Sequence, residues 1–187
     1  MKTLFLIGDS IRLGYCEYVR AILRDEVQTL WPEENCRFTQ HTLRFLHEWA
    51  GKLPNPSEVD IVNWNNGLWD ACHHISDGMP LTLFSHYENN LHRIIYQIRS
   101  LFPRAEIIFA LTTPVSEKFP KIQNAEVEHF NQIAKNVMDN ERVTINDLYS
   151  LVKASPNYIC DDGIHLTDEG YRSIAHAVSD CIRQHIR

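Results

Sequence analysis

Leu4-Phe5-Leu6-Ile7-Gly8-Asp9-Ser10 decides how this chain is read, because it sets a serine at the mouth of an apolar strand. Four consecutive apolar residues predict a strand buried on both faces. Gly8 lets the backbone turn sharply where that strand ends. Asp9 and Ser10 are placed to cap a helix beginning near Ile11. In an open α/β sheet, reactive groups lie beyond the carboxyl ends of the strands, which makes Ser10 a candidate nucleophile. The plain alternative is a capping serine in an ordinary turn, and the far end of the chain bears on that choice.

Strand-like runs recur at Thr3–Ile7, Asp60–Trp64, Glu106–Leu111 and Val143–Asn146, with Gln28–Trp31 or Cys36–Phe38 supplying one more. Between them, helical periodicity marks Tyr15–Glu26, Thr42–Ala50, Leu83–Leu101, Ala125–Met138 and Glu169–Ile182. The clearest stripe is Leu91, Ile94, Ile95, Ile98, Leu101 and Phe102, spaced for one face of a helix. Strands alternating with helices of this length call for right-handed crossovers. The expected fold is therefore α/β: three layers, α/β/α, around a central parallel sheet of about five strands. Residues 1–187 are expected to form a single domain, with Leu53–Glu58 as a loop and Ala71–Pro80 as a second irregular stretch able to wall a site.

Apolar residues make up 44% of the chain and charged residues 22%, a globular mixture that argues against disorder. A formal net charge of −6 and the lack of a long Lys/Arg run disfavour nucleic acid as a partner. No apolar run has the length of a membrane span. The apolar run after Met1-Lys2 stops at Gly8-Asp9 and reads as the first strand, so the chain is expected to be mature and cytoplasmic. Five cysteines, Cys16, Cys36, Cys72, Cys160 and Cys181, are odd in number and contain no CxxC pair. They fit free thiols in a reducing compartment better than a disulfide framework or a zinc site.

The second informative stretch is Asp162-Gly163-Ile164-His165-Leu166. An Asp and a His three residues apart across a glycine turn can hold a carboxylate against one imidazole nitrogen while the other faces outward. That is the orienting half of a serine triad. Asp161 is the competing acid, and the D-x-x-H spacing favours Asp162. Gly8-Asp9-Ser10 and Asp162-Gly163-Ile164-His165 together closely resemble the first and last blocks of the SGNH hydrolases, the GDSL-like lipase/esterase family, although Ile11 stands where that family usually has Leu. The resemblance spans nearly the whole chain. It implies a flavodoxin-like domain with strand order 2-1-3-4-5, a catalytic Ser10, His165 and Asp162, and no cofactor.

The middle blocks are less faithful. The family's second block carries a glycine whose N–H holds the oxyanion, and the matching stretch here, Glu34-Asn35-Cys36-Arg37-Phe38-Thr39, has none. A backbone N–H of Cys36 or Arg37 is the expected substitute. The third block normally reads Gly-x-Asn-Asp, and this chain has Asn65-Asn66-Gly67-Leu68-Trp69-Asp70. Asn66 is the first expectation for the missing amide donor, followed by Asn65 and the Trp69 indole; Asn66-Gly67 is equally a good turn without chemistry. The oxyanion hole is thus expected from Ser10, Cys36 and Asn66.

Trp64, Trp69, His73 and His74 are candidate pocket residues for the leaving group, with core or loop packing as the plain alternative for each. His73, His74, Asp70 and Asp77 do not make a convincing metal set, because adjacent histidines reach one ion with difficulty. The expected activity is serine-dependent hydrolysis of small O-acyl esters, acetyl esters first, with an acylated sugar as the small-molecule partner. Two alternatives remain beside it: a lysophospholipase or thioesterase of the same family, and a non-catalytic binding protein with a decayed oxyanion hole. A nucleotide-binding flavodoxin-like protein is disfavoured by the lack of a phosphate-cradling glycine loop.

Overall fold

A computed structural model describes residues 1–186. Five strands, β1 (Lys2–Ile7), β2 (Val27–Leu30), β3 (Ile61–Trp64), β4 (Glu106–Ala110) and β5 (Thr144–Asn146), form one sheet in the order β2-β1-β3-β4-β5. Every pairing is parallel, with Leu4 opposite Ile61, Ile61 opposite Glu106 and Ile108 opposite Thr144. The helices are α1 (Ser10–Ile22), α2 (Thr39–Gly51), α3 (Phe84–Leu101), α4 (Asn124–Glu141), the short α5 (Leu148–Lys153) and α6 (Asp168–Ile186). The chain steps from β1 outward to β2, then reverses through β3 to β5. Right-handed crossovers therefore put α1 on one face and α2, α3 and α4 on the other. The packing agrees: α6 lies on α1, while α2 meets α3 and α3 meets α4. This is the three-layer α/β/α arrangement with the expected strand order.

β1 is apolar on both faces because it sits one strand from the sheet edge under both helix layers, and Leu4 to Ile7 are at most 1% exposed. Asp9 caps α1 by accepting from the Ile11 N–H at 3.0 Å, which starts the helix at Ser10, one residue earlier than expected. At Gly8 the neighbours leave no room for a side chain. A Cβ there would fall 1.9 Å from Asn65 Oδ1.

Of the two candidates for the extra strand, the one overlapping Gln28–Trp31 forms β2. Cys36–Phe38 is not a strand: Arg37 has a φ of 54° and Phe38 is the N-cap of α2. The reason is that the Cys36 N–H donates to Gly8 O at 3.0 Å, which ties the loop to the β1 turn and takes it out of the sheet. Helix α5, not anticipated from periodicity, is too short to show one. Asp147 caps it, accepting from the Ser150 N–H at 2.9 Å.

Candidate active site

Ser10 lies at the first position of α1, half-buried beyond the carboxyl end of β1. The side chain of Asp9 is spent on the Ile11 N–H, while the Ser10 N–H points out of the helix end with no intrahelical partner. Burial raises the pKa of Asp9, and the neighbouring Asn65 amide, the Ile11 N–H and the Arg12 guanidinium pull it back. The seat of the serine is thus a positive helix end.

Asp162 and His165 come from the loop between α5 and α6. Asp162 Oδ1 accepts from the backbone N–H groups of Ile164 and His165, both at 3.0 Å, and Oδ2 lies 2.7 Å from His165 Nδ1. Partial desolvation raises the Asp162 carboxyl, but the Ile164 N–H and His165 outweigh it and hold its pKa at about 2. Gly163 makes the tight loop possible, with φ of 81°, a conformation that favours glycine. The Gly163 carbonyl accepts from Ser116 N–H at 2.8 Å, anchoring the loop to the segment after β4. Asp161 turns the other way and pairs with Lys118 Nζ at 2.6 Å.

Ser10 and His165 line one open cavity of about 310 Å³ with Asn35, Leu68, Trp69, Cys72, His74, Phe119, Ile122 and Ile164. No hydrogen bond joins the Ser10 hydroxyl to the imidazole, and catalytic bonds of this kind often tighten only as substrate binds. A larger hollow of about 540 Å³ between β2 and α2 holds neither residue. Among the described residues no three His, Cys, Asp or Glu side chains gather as a metal site would need.

Several expected pocket residues are engaged elsewhere. Asn66 is fully buried: its Nδ2 donates to Arg37 O at 2.8 Å, and its Oδ1 accepts from the Trp64 indole at 2.6 Å. Its own carbonyl accepts from Tyr87 Oη and Thr112 Oγ1. The expectation that Asn66 aims its amide at the serine fails here because Asn66 is fully buried, does not line the cavity of Ser10, and is held by Trp64 and Arg37. Cys36 is corrected likewise, its N–H being spent on Gly8 O and its thiol buried, which raises its pKa. The Arg37 N–H donates to Asn35 Oδ1 at 2.8 Å, and its side chain is exposed.

Asn65 lines a separate small space with Asp9 and Thr112. Trp64 is core rather than pocket, edge-on to Phe109 with ring centres 4.8 Å apart. His73 pairs with Glu126 on α4 at 2.9 Å instead of lining the cavity. Trp69 and His74 do line it, their rings 5.4 Å apart. Sequence reasoning missed Asn35 and the apolar wall of Leu68, Phe119, Ile122 and Ile164. Asn35 belongs to the second-block stretch, where the family pattern points to a backbone N–H and carries no signal for a side-chain donor.

Two buried charged groups hold the serine's surroundings together. Arg12, 0% exposed, sends Nη2 to Glu34 O at 2.7 Å, to Gly8 O at 3.2 Å and to Cys36 Sγ at 3.6 Å. It clamps the 34–37 loop onto the β1 turn. Asp70 accepts from Thr39 Oγ1 at 2.6 Å and from Thr39 N–H at 3.1 Å, at the start of α2. Burial lifts the Asp70 carboxyl to about 6 against the pull of these hydrogen bonds.

A parallel 2-1-3-4-5 sheet carrying a serine beyond β1 and an Asp-His loop before the last helix defines the flavodoxin-like class of hydrolase folds. The chain matches the GDSL-like lipase/acylhydrolase family over residues 6–173 and belongs to it, which makes it a carboxylic ester hydrolase. No curated protein sequence matches the chain. Among solved structures it is similar to a lipase/acylhydrolase from Enterococcus faecalis, at 19% identity and a TM-score of 0.83, covering 98% of this chain and 96% of that one. It is also similar to a catalytic mutant of an acetylxylan esterase from Geobacillus stearothermophilus, at 16% identity, TM-score 0.75 and coverage of 99% and 94%. A family 3 carbohydrate esterase from Talaromyces cellulolyticus matches at 18% identity, TM-score 0.74 and coverage of 100% and 98%. At these identities the likeness is one of fold.

Proposed function

We propose that the protein hydrolyses small O-acyl esters through a Ser10–His165–Asp162 triad. The observation that carries this reading is His165, held by Asp162 at 2.7 Å and lining the same cavity as a serine seated on a helix N-terminus. Asp162 on Nδ1 fixes the tautomer and leaves Nε2 to take the serine proton as Oγ attacks the ester carbonyl. The Ser10 N–H, at the positive end of α1, faces the developing oxyanion. Collapse expels the alcohol as His165 returns the proton to it. Water then attacks the acyl-enzyme by the same relay and releases the acid and free Ser10.

Acetyl esters on carbohydrate are the substrate class this reading favours. The Trp69–His74 pair offers an aromatic face for a sugar ring beside polar edges, and the fold likeness to acetylxylan and carbohydrate esterases supports the same direction. A second reading rests on the wall of Leu68, Phe119, Ile122 and Ile164, which would suit a longer acyl chain, as in a thioesterase or lysophospholipase. The five free cysteines support a reducing, cytoplasmic setting.

The test is turnover of p-nitrophenyl acetate, butyrate and octanoate and of acetylated xylo-oligosaccharides by the wild type and Ser10→Ala. Loss of at least about 10³-fold in Ser10→Ala with unchanged folding is the expected result. Ordinary turnover by a pure, folded Ser10→Ala would overturn the triad, and a preference for octanoate over acetate would shift the substrate to the second reading.

A further inference from the structure

A developing oxyanion needs more than one preorganised donor, and the Ser10 N–H is one. The other groups the sequence offers are committed: Asn66 to Trp64 and Arg37, Cys36 N–H to Gly8, and Arg37 N–H to Asn35. Asn65 faces the separate space beside Asp9. Of the side chains lining the cavity, the Asn35 amide nitrogen and the Trp69 indole are N–H donors that no hydrogen bond among the described residues engages, beside the His74 imidazole.

We propose that the Asn35 side-chain amide is the second donor of the oxyanion hole, replacing the asparagine that the third block lacks. The proposal rests on the serine mechanism above. Asn35 Oδ1 accepts the Arg37 N–H at 2.8 Å, so the oxygen is identified by its donor and the planar amide directs Nδ2 away from that bond. Nδ2 is therefore a donor with its partner position open, on a half-buried residue lining the same cavity as Ser10 and His165.

The loop that carries it is immobilised from four sides. Cys36 N–H bonds Gly8 O at 3.0 Å, two residues before the serine. Arg12 Nη2 holds Glu34 O at 2.7 Å, Thr42 Oγ1 holds Cys36 O at 3.1 Å, and Asn66 Nδ2 holds Arg37 O at 2.8 Å. A donor fixed in this way costs little reorganisation when charge develops, which is what makes such donors effective. Asn35 is thus bound through one neighbour to the turn that bears the nucleophile. Trp69, tilted against His74 with ring centres 5.4 Å apart, forms the wall where the substrate packs.

The experiment compares Asn35→Ala, Asn35→Ser and Trp69→Phe for kcat, KM and Tm with p-nitrophenyl acetate. It also measures inhibition by an alkylboronic acid, which forms a tetrahedral anion on the serine. Serine keeps an oxygen that can accept the Arg37 N–H across the turn but has no amide donor. The expected result is a loss of about 100-fold in kcat for both Asn35 variants, with KM within threefold, unchanged Tm and boronate binding weakened in parallel. Trp69→Phe is expected to act mainly on KM. Near wild-type kcat in Asn35→Ala overturns the proposal. So does near wild-type kcat in Asn35→Ser when Asn35→Ala is merely unstable, because the residue would then serve the turn alone. A fall of kcat in Trp69→Phe with Asn35 variants intact overturns it in favour of the indole. If Ser10→Ala stays active, the serine mechanism itself has failed. If Ser10→Ala is dead and the Asn35 variants are unaffected, only the oxyanion assignment has.

Discussion

The two sides of the cavity are built on different principles. On the acid–base side, Asp162 finds all three of its partners within three residues along the chain, and the pair stays open to solvent, with His165 and Asp162 side chains 42% and 48% exposed. On the nucleophile side, the groups around Ser10 are buried and held by bonds between residues far apart in sequence. Arg12 reaches Glu34, Asn66 reaches Arg37 and Asp70 reaches Thr39 across 22, 29 and 31 residues. A self-contained loop can be altered with little effect on folding, whereas a substitution in the distributed network is felt by the fold and the site together. The carboxylates express the same contrast, Asp162 being held down at about 2 and Asp70 pushed up to about 6.

The sharpest way to test the self-contained side is Asp162→Asn. It should lower kcat by up to about 10⁴-fold through the wrong histidine tautomer, while Tm moves by no more than a few degrees. Asp161→Asn should stay within about twofold, because it breaks only an exposed pair with Lys118, of a kind worth at most about 1 kcal/mol. Comparable losses in both variants, read from steady-state kinetics, would show that the loop does not separate the two acids as described.

On the distributed side, Asn66→Ala should act first on stability. It leaves the buried Trp64 indole N–H unpaired and frees Arg37 O, at a cost of about 2–4 kcal/mol. That corresponds to a Tm lower by about 5–15 °C for a chain of this size, with a shift in tryptophan fluorescence. A variant with unchanged Tm and a hundredfold loss in kcat would restore Asn66 as a direct donor and break the contrast.

The last effect expected on the distributed side is the pH dependence carried by Asp70. Its folded pKa, about 6, lies above the ordinary 3.8, so the folded state holds the proton more tightly than the unfolded chain. The resulting stabilisation is fully present below about pH 4 and is lost as pH rises through 6, by roughly 2–3 kcal/mol. Asp162 has the opposite sign: its contribution is present above about pH 4 and is lost as pH falls toward 2. The wild type is therefore expected to show a downward contribution to the slope of Tm between pH 4 and 6, and thermal melts of Asp70→Asn should lose it. An unchanged slope would mean that Asp70 is not its source.

What could be read from sequence follows the same division. The β1 run, the serine turn and the Asp-x-x-His loop are local patterns, each satisfied by neighbours a few residues away, and the alternation of strands and helices was legible for the same reason. Short elements escaped or stayed ambiguous, as with α5 and the choice of β2, because too few residues carry a period. The roles of Asn65, Asn66, Trp64 and His73 were not legible. Asparagine and tryptophan both donate hydrogen bonds, and a chain order does not say to whom.

The sequence by itself determined the fold class and brought Ser10, Asp162 and His165 forward as candidates, since apolar period, turn residues and a three-residue spacing are properties of short stretches. Only the tertiary structure decided that Asn66 is spent on the Trp64 indole and on Arg37, that Arg12 clamps the 34–37 loop, and that Asn35 is left facing the cavity. The physical reason is competition: a buried donor takes the best acceptor within about 3 Å, and which acceptors come that close is settled by packing between segments 20 or more residues apart.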